Sequence, residues 1–231
     1  MQQTTLLNTP IKLIIFDCDG VLIDSETLSK QVLLEQLSVL NVKVSSEYFD
    51  ANFLGRSFEH VSAKILEDFA VALPLNFREN YHQVLMQTFN TELKPTIDLE
   101  RMLSQLNLPY CVATSSSVAR VNHALTVTDL MRYFSGRIFT CSEVKNGKPA
   151  PDIFLHAASE MGFSANECLV IEDSEAGMQA AKSANMQLVR YVGASHLSSN
   201  GALLDKIVNG VTNIQNWDQL LELVPSLHSA K

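Results

Sequence analysis

The sequence KLIIFDCDGVLIDSE, residues 12–26, places two aspartates directly after a short apolar run. The run LIIF, residues 13–16, is continuous rather than alternating, which is typical of a strand buried on both faces of a parallel sheet. Asp17 and Asp19 follow it with one residue between them. Because an unpaired carboxylate at the end of a buried strand is destabilising or shifts its pKa, folding alone does not explain this pair.

Further apolar runs alternate with helical segments in the second half of the chain. They are YCVAT at 110–114, RIFTC at 137–141, ECLVIED at 167–173 and QLVRYV at 187–192. This alternation indicates βαβ units and predicts the α/β class, with a Rossmann-like, doubly wound parallel sheet as its core. A closing helix is expected over residues 217–224.

Residues 25–91 have a helical pattern without strand-like runs. Three apolar stripes with helical spacing lie in this stretch. Their residues are Leu28, Val32, Leu33, Leu37 and Leu40; Phe58, Val61, Ile65, Leu66 and Phe69; and Phe77, Tyr81, Val84, Leu85 and Phe89. We therefore predict a core domain over 1–24 and 92–231, interrupted by an inserted small all-helical cap domain over 25–91. Ser25 is the expected N-cap of its first helix, and hinges are expected near 24–26 and 91–95.

Composition limits the classes of partner. The 231 residues are 46% hydrophobic and 18% charged with a net charge of -8, which favours a packed globular protein and disfavours nucleic-acid binding. The four cysteines are widely spaced, so we expect reduced thiols and no structural zinc. The start of the chain lacks a basic segment and a long apolar run. We expect no membrane partner, a cytoplasmic location and a monomer.

Polar residues follow the carboxyl ends of the predicted strands, where open parallel sheets bind ligands. They are Asp17 and Asp19, Thr114 to Ser117 (TSSS), Glu172 and Asp173, together with Lys148 just before a helix that a proline begins. Clustered carboxylates suit a divalent cation, and oxygen ligands favour Mg²⁺. The hydroxyl, the amides after it and the lysine offer donors to a phosphoryl group. One aspartate is then available to attack phosphorus and the other to move a proton.

Four motifs carry a family resemblance. FDCDGVL, VATSSS, GKPAPDIF and VIEDSEAG resemble, in this order, the four motifs of the haloacid dehalogenase superfamily. The helical insert is similar to the C1-type cap of its β-phosphoglucomutase and phosphoglycolate phosphatase branch. The resemblance implies a Mg²⁺-dependent phosphatase that forms an aspartyl-phosphate intermediate.

The resemblance also implies roles for the acidic residues. Asp17 is expected to be the nucleophile and a metal ligand. Asp19 is expected to be the general acid/base and to ligate the metal through its backbone carbonyl. Asp173 is implied as a metal ligand, and Glu172 as a direct or water-mediated one.

Donor residues complete the implied site. Thr114 and the Ser115 amide are expected to hold the phosphoryl oxygens, and Lys148 to offset charge on the nucleophile and the phosphoryl group. The dehalogenases of the superfamily lack the second aspartate, so the presence of Asp19 disfavours dehalogenation.

The choice among phosphoryl-transfer activities depends on the insert. Gapless alignment puts Ser29 and Phe58 where the β-phosphoglucomutases have a gating histidine and a phosphate-holding arginine, which favours a phosphatase. Arg56, Ser57 and Phe58 are candidates for recognising the substrate, a small phosphorylated metabolite such as a sugar or sugar-acid phosphate. A phosphosugar mutase is the alternative enzyme, and a phospho-acceptor signalling module is the alternative of another class.

Structural roles compete with some of these interpretations. Two groups of these residues are also placed to cap the helices that follow them, namely Thr114 to Ser117, and Glu172 with Asp173. Gly177 is interpreted as a small residue that permits close packing of a helix on the sheet. The six histidines have no paired metal spacing, so structural roles are expected for them, including His228. His60 follows the cap loop and is the histidine most worth testing.

Overall fold

The structure is a computed structural model that describes residues 10–54, 56–198, 207–208 and 210–227. Predictions that concern residues 1–9 and His228 fall outside these ranges. The chain forms two compact units, which we name the core unit, up to Asp24 and from Lys94 onward, and the helical unit, Ser25–Leu93.

The core unit contains a seven-stranded sheet in the order β3-β2-β1-β4-β5-β7-β6. The strands are β1 (Leu13–Phe16), β2 (Tyr110–Thr114), β3 (Ile138–Thr140), β4 (Cys168–Glu172), β5 (Gln187–Tyr191), β6 (Ile207–Val208) and β7 (Val211–Ile214). All neighbouring strands are parallel except β6, which pairs antiparallel with β7. The predicted α/β class with a Rossmann-like, doubly wound sheet and a helical insertion is confirmed.

The direction of winding reverses between β1 and β4. The chain adds β2 and β3 on one side of β1, then places β4 on its other side and continues outward through β5 and β7. Phe16 pairs with Ile171, so Asp17 and Glu172 stand side by side at the carboxyl ends of these strands. Such a switch point is where doubly wound sheets bind ligands.

The regular elements that the structure describes in the helical unit are four helices: α1 (Glu26–Val39), α2 (Ser46–Asn52), α3 (Phe58–Phe69) and α4 (Phe77–Glu92). The sequence pattern indicated three of them, and the seven-residue α2 was missed because it is too short for a periodic stripe. Ser45 and Ser57 cap α2 and α3 by accepting hydrogen bonds from Tyr48 N and His60 N. Ser25 is the N-cap residue of α1, as predicted, although its backbone is already helical and its side chain makes no capping hydrogen bond.

The helices that the structure describes in the core unit are α5 (Leu99–Leu103), α6 (Val118–Val127), α7 (Met131–Phe134), α8 (Asp152–Glu160), α9 (Glu175–Ser183), α10 (Ser195–Ser198) and α11 (Trp217–Leu223). The two faces of β1 explain its continuous apolar run. Leu13 and Ile15 belong to a buried cluster that includes residues of α8 and α9. Phe16 instead packs edge-on against Trp217 and Phe134, with ring centroids 6.0 Å and 6.3 Å away.

Two strands were not predicted. The strand β7 has the sequence VTNI, in which the polar residues Thr212 and Asn213 are buried. Because these residues are polar, the segment lacks the apolar run that predicts a buried strand. The antiparallel β6 departs from the all-parallel prediction. The third strand ends at Thr140 because a 3₁₀ turn begins at Cys141.

In the part of the chain that the structure describes, no helix combines the length and the apolar character needed to span a bilayer.

Candidate active site

Three buried carboxylates meet beyond the carboxyl ends of β1 and β4. Asp17, Glu172 and Asp173 each place one carboxylate oxygen within 4.8 Å of those of the other two. Asp17 follows β1, Glu172 is the last residue of β4, and Asp173 follows β4. The switch point between these two strands therefore brings the three residues together. The convergence expected from the sequence is present.

Lys148 lies among these acids. Its Nζ donates hydrogen bonds to Asp17 Oδ1 at 2.5 Å, Glu172 Oε1 at 2.8 Å and the Ala113 carbonyl at 3.1 Å. The side chain is only 4% exposed, and its ammonium lies 4.8 Å from the centre of the Phe154 ring. The loop before α8 therefore delivers one positive charge to the acidic cluster.

The charges of the cluster are unbalanced. Burial raises the pKa of Asp17 well above its ordinary value, and Glu172 and Asp173 raise it further, while Lys148 opposes the rise. Burial would lower the pKa of Lys148, but the charges of Asp17 and Glu172 outweigh this effect and raise it. One ammonium thus faces three carboxylates. This set of hard oxygen donors fits a divalent cation such as Mg²⁺.

Glu172 is held on both of its oxygens. Oε1 accepts from Lys148, while Oε2 accepts from Ser174 N at 2.6 Å and Ser174 Oγ at 2.9 Å. Gly177 faces the same carboxylate, and a Cβ at this position would lie 1.8 Å from Oε1. The small residue that the sequence assigned to helix packing thus makes room for the Glu172 side chain.

Asp173 is enclosed by Gly20 and His196. Gly20 has a φ of +77°, and a Cβ there would lie 2.0 Å from Asp173 Oδ2. His196 places Nε2 3.2 Å from the same oxygen, and its side chain is 9% exposed. His196 was not predicted as a site residue, because no other histidine stands at a paired metal-ligand spacing from it. Its place after the carboxyl end of β5 was the signal that could have found it.

Asp19 is held by the loop after β2 and by α6. Ser116 Oγ donates to Asp19 Oδ2 at 2.6 Å, and Arg120 Nη2 donates to Asp19 Oδ1 at 2.8 Å. Thr114 is buried, and its Oγ1 accepts from Ser116 N at 3.0 Å. Ser115 is exposed, with its Oγ 3.7 Å from Cys141 Sγ. Arg120 was missed because the sequence motif ended at Ser117.

The candidate specificity residues belong to the helical unit. Arg56 is exposed. Ser57 caps α3, and Phe58 packs against the hydrophobic core of this unit, with its ring centroid 6.2 Å from that of Phe77. Ser57 and Phe58 therefore have structural roles, whereas the described residues show no such role for Arg56, which is exposed, as Ser57 also is. His60 is also exposed, on the first turn of α3.

Comparison with known proteins gives consistent matches. A family model described as haloacid dehalogenase-like hydrolase matches residues 11–185. The 6-phosphogluconate phosphatase of Escherichia coli (strain K12) is 24% identical over 187 residues, which are 80% of this chain and 85% of that protein. The fructose-1-phosphate phosphatase YqaB of the same organism is 29% identical over 181 residues, 76% of this chain and 94% of that protein. A solved structure of the haloacid dehalogenase-like protein of unknown function ATU0790 from Agrobacterium tumefaciens str. C58 has a TM-score of 0.82 at 30% identity, covering 94% of this chain and 98% of that one.

Proposed function

Because this chain belongs to the haloacid dehalogenase-like hydrolases, we propose that it is a Mg²⁺-dependent phosphatase of small phosphorylated metabolites that acts through an aspartyl-phosphate on Asp17. The family and the enzyme class that the motifs implied are confirmed. The observation that carries the mechanism is the buried contact of Asp17 with Lys148 beside Glu172 and Asp173. A nucleophile, a fixed counter-charge and further acidic ligands are gathered there.

The residues that would hold Mg²⁺ are Asp17, Asp173 and the backbone carbonyl of Asp19. Both oxygens of Glu172 already accept hydrogen bonds from the protein, which favours a water-mediated role for this residue. When bound, the cation supplies positive charge that offsets the buried carboxylates and polarises a phosphoryl oxygen.

In the first step, a carboxylate oxygen of Asp17 attacks phosphorus and the ester P–O bond breaks. The leaving oxygen takes a proton from Asp19 and departs as an alcohol. Thr114 Oγ1 and the Ser115 amide hold the phosphoryl oxygens, and Lys148 offsets the charge that develops beside Asp17. The product of this step is an aspartyl-phosphate.

In the second step, water attacks the phosphorus of the aspartyl-phosphate. Asp19, now a carboxylate, takes a proton from that water, and the bond between phosphorus and the Asp17 oxygen breaks. Inorganic phosphate leaves and the Asp17 carboxylate is restored. One residue thus serves as acid in the first step and as base in the second.

We propose that the substrate is a sugar or sugar-acid phosphate. Support comes from the relatives that are named as phosphatases of 6-phosphogluconate and fructose-1-phosphate. We also propose that the helical unit serves as a cap that selects the substrate, with Arg56 as its candidate contact for an anionic group. The open position of the Arg56 side chain supports this assignment.

A phosphate-release screen tests this function. The protein is incubated with a panel of sugar and sugar-acid phosphates in the presence of Mg²⁺, with Asp17→Asn as the control. We expect release of inorganic phosphate from members of the panel by wild type and none by the variant. An anomeric sugar phosphate converted into its isomer without free phosphate would favour the mutase. A phosphoprotein that persists after acetyl phosphate treatment would favour the signalling module.

A further inference from the structure

We propose that Arg120 is a positioning residue for Asp19, and that it keeps the acid/base carboxylate oriented for proton transfer. This inference rests on the proposed function, because it needs Asp19 to move protons in the phosphatase reaction. It concerns an arginine outside the four sequence motifs, on the first turn of α6.

Two side-chain donors hold the Asp19 carboxylate. Arg120 Nη2 donates to Asp19 Oδ1 at 2.8 Å, while Ser116 Oγ donates to Asp19 Oδ2 at 2.6 Å. Each oxygen of the carboxylate therefore has its own donor, so that both the position and the rotation of the group are restrained. The Arg120 and Asp19 side chains are 16% and 17% exposed, so this charge-assisted bond is better shielded from water than a surface ion pair.

The local fold fixes where Arg120 lies. Ser117 caps α6 by accepting a hydrogen bond from Arg120 N at 3.3 Å, which ties the start of the helix to the TSSS loop. Thr114 Oγ1 accepts from Ser116 N within the same loop. The segment that would hold the phosphoryl group therefore also holds Asp19, so that substrate binding and orientation of the proton donor depend on one short piece of chain.

Arg120 and Lys148 serve different aspartates. Lys148 contacts Asp17, the proposed nucleophile, whereas Arg120 contacts Asp19. Loss of Arg120 should therefore slow the proton transfers and leave substrate binding nearly unchanged. The effect should depend on the Asp19 carboxylate being present, because Arg120 acts through it.

The test is a double-mutant cycle with Arg120→Met and Asp19→Asn. Steady-state phosphate release from nitrophenyl phosphate and from the best substrate of the panel gives kcat and KM, and rapid acid quench gives the amount of phospho-enzyme. Arg120→Lys is the conservative variant. Arg101→Met is the matched control, because Arg101 makes a 2.9 Å bond to Asp218 on the core unit with side chains 48% and 57% exposed.

We expect Arg120→Met to lower kcat by about 10-fold or more, a part of the 10²–10⁴-fold that general acid–base catalysis contributes, without a rise in KM. Arg120→Lys should recover part of the loss, and Arg101→Met should behave as wild type. In the Asp19→Asn background, Arg120→Met should produce no further loss of phospho-enzyme breakdown.

The proposal is overturned if Arg120→Met lowers turnover by the same factor with and without the Asp19 carboxylate, or if its main effect is a rise in KM. It also fails if Arg120→Met matches Arg101→Met. Should Arg120→Met not fold, Arg120→Lys and Arg120→Gln decide by the same cycle. If the wild type releases no phosphate from any substrate, the proposed function itself is overturned. If the wild type is active but the effects of the two substitutions are additive, only the role of Arg120 is overturned.

Discussion

Lys148 Nζ donates a 2.5 Å hydrogen bond to Asp17 Oδ1, although the two residues are 131 positions apart in the chain. The contact exists because β1 and the loop before α8 end at the same edge of the sheet. It is buried, so its partners lack water as an alternative source of hydrogen bonds. The residue that would attack phosphorus is therefore also part of a buried ion pair, so this contact should affect both the stability of the fold and the proposed reaction.

Replacing Lys148 by Met should abolish phosphate release and destabilise the protein. Without the ammonium, Asp17 and Glu172 are left as buried like charges, and breaking such a pair costs about 3–5 kcal/mol. Urea unfolding in the presence of EDTA measures this loss. Lys12→Met is the control, because Lys12 pairs with Glu167 at 2.6 Å on the surface and should contribute little. Equal stability losses in the two variants would mean that the buried ion pair contributes no more than a surface pair.

Gly177→Ala should destabilise the protein although the substitution lies in a helix. Alanine is favoured over glycine in helix interiors by about 1 kcal/mol. Here its Cβ would lie 1.8 Å from Glu172 Oε1, and the buried carboxylate would have to give up its contacts with Lys148 and Ser174. We expect a net loss of about 1–3 kcal/mol in the free energy of unfolding, together with lower kcat. Gln179→Ala, on the exposed side of α9, is the control; a more stable Gly177→Ala variant would be inconsistent with this geometry.

Magnesium should stabilise the fold as well as support activity. A cation that binds the folded state raises the free energy of unfolding by about 2.7 kcal/mol when its concentration is a hundred times Kd. Thermal unfolding during a MgCl₂ titration measures the effect, with KCl of equal ionic strength as the control. The rise should be lost in Asp173→Asn, and EDTA should stop phosphate release reversibly. Equal shifts with KCl, or a full shift in the variant, would argue against the assigned ligands.

His196→Ala should weaken Mg²⁺ binding. His196 Nε2 lies 3.2 Å from Asp173 Oδ2, where it orients the carboxylate, and removal of such an outer partner typically costs about 10–100-fold in metal affinity. Calorimetric titration with MgCl₂ measures Kd directly. His196→Gln, which keeps a nitrogen donor near the same place, should lose less. His156→Ala is the control, because His156 contacts Glu143 instead. An unchanged Kd in His196→Ala would remove this role.

The site residues at the strand ends could be predicted, because each is a polar residue at the end of an apolar run. Asp17, Thr114 and Asp173 all follow continuous apolar runs, and parallel strands bring their carboxyl ends to one edge. Lys148 could be found through its motif, although its burial and its distance to Asp17 depend on packing that no local pattern contains.

The rest of the site depends on contacts between distant segments. Arg120 reaches Asp19 across 101 positions, and His196 reaches Asp173 from a four-residue helix. Arg120 follows the TSSS motif and His196 follows β5, but no local pattern indicates which aspartate either side chain contacts. The strand β7 was missed for a related reason, because its buried Thr212 and Asn213 read as exposed loop residues.

The most direct measurement is the position of the covalent phosphate. The Asp19→Asn variant is mixed with nitrophenyl phosphate and Mg²⁺, quenched in acid and analysed by peptide mass spectrometry. We expect phosphate on Asp17, because the activated leaving group needs no proton while water lacks its base. We expect no labelled peptide when Asp17→Asn is added to this variant. Phosphate on another residue, or phosphate release retained by Asp17→Asn, would contradict the proposed mechanism.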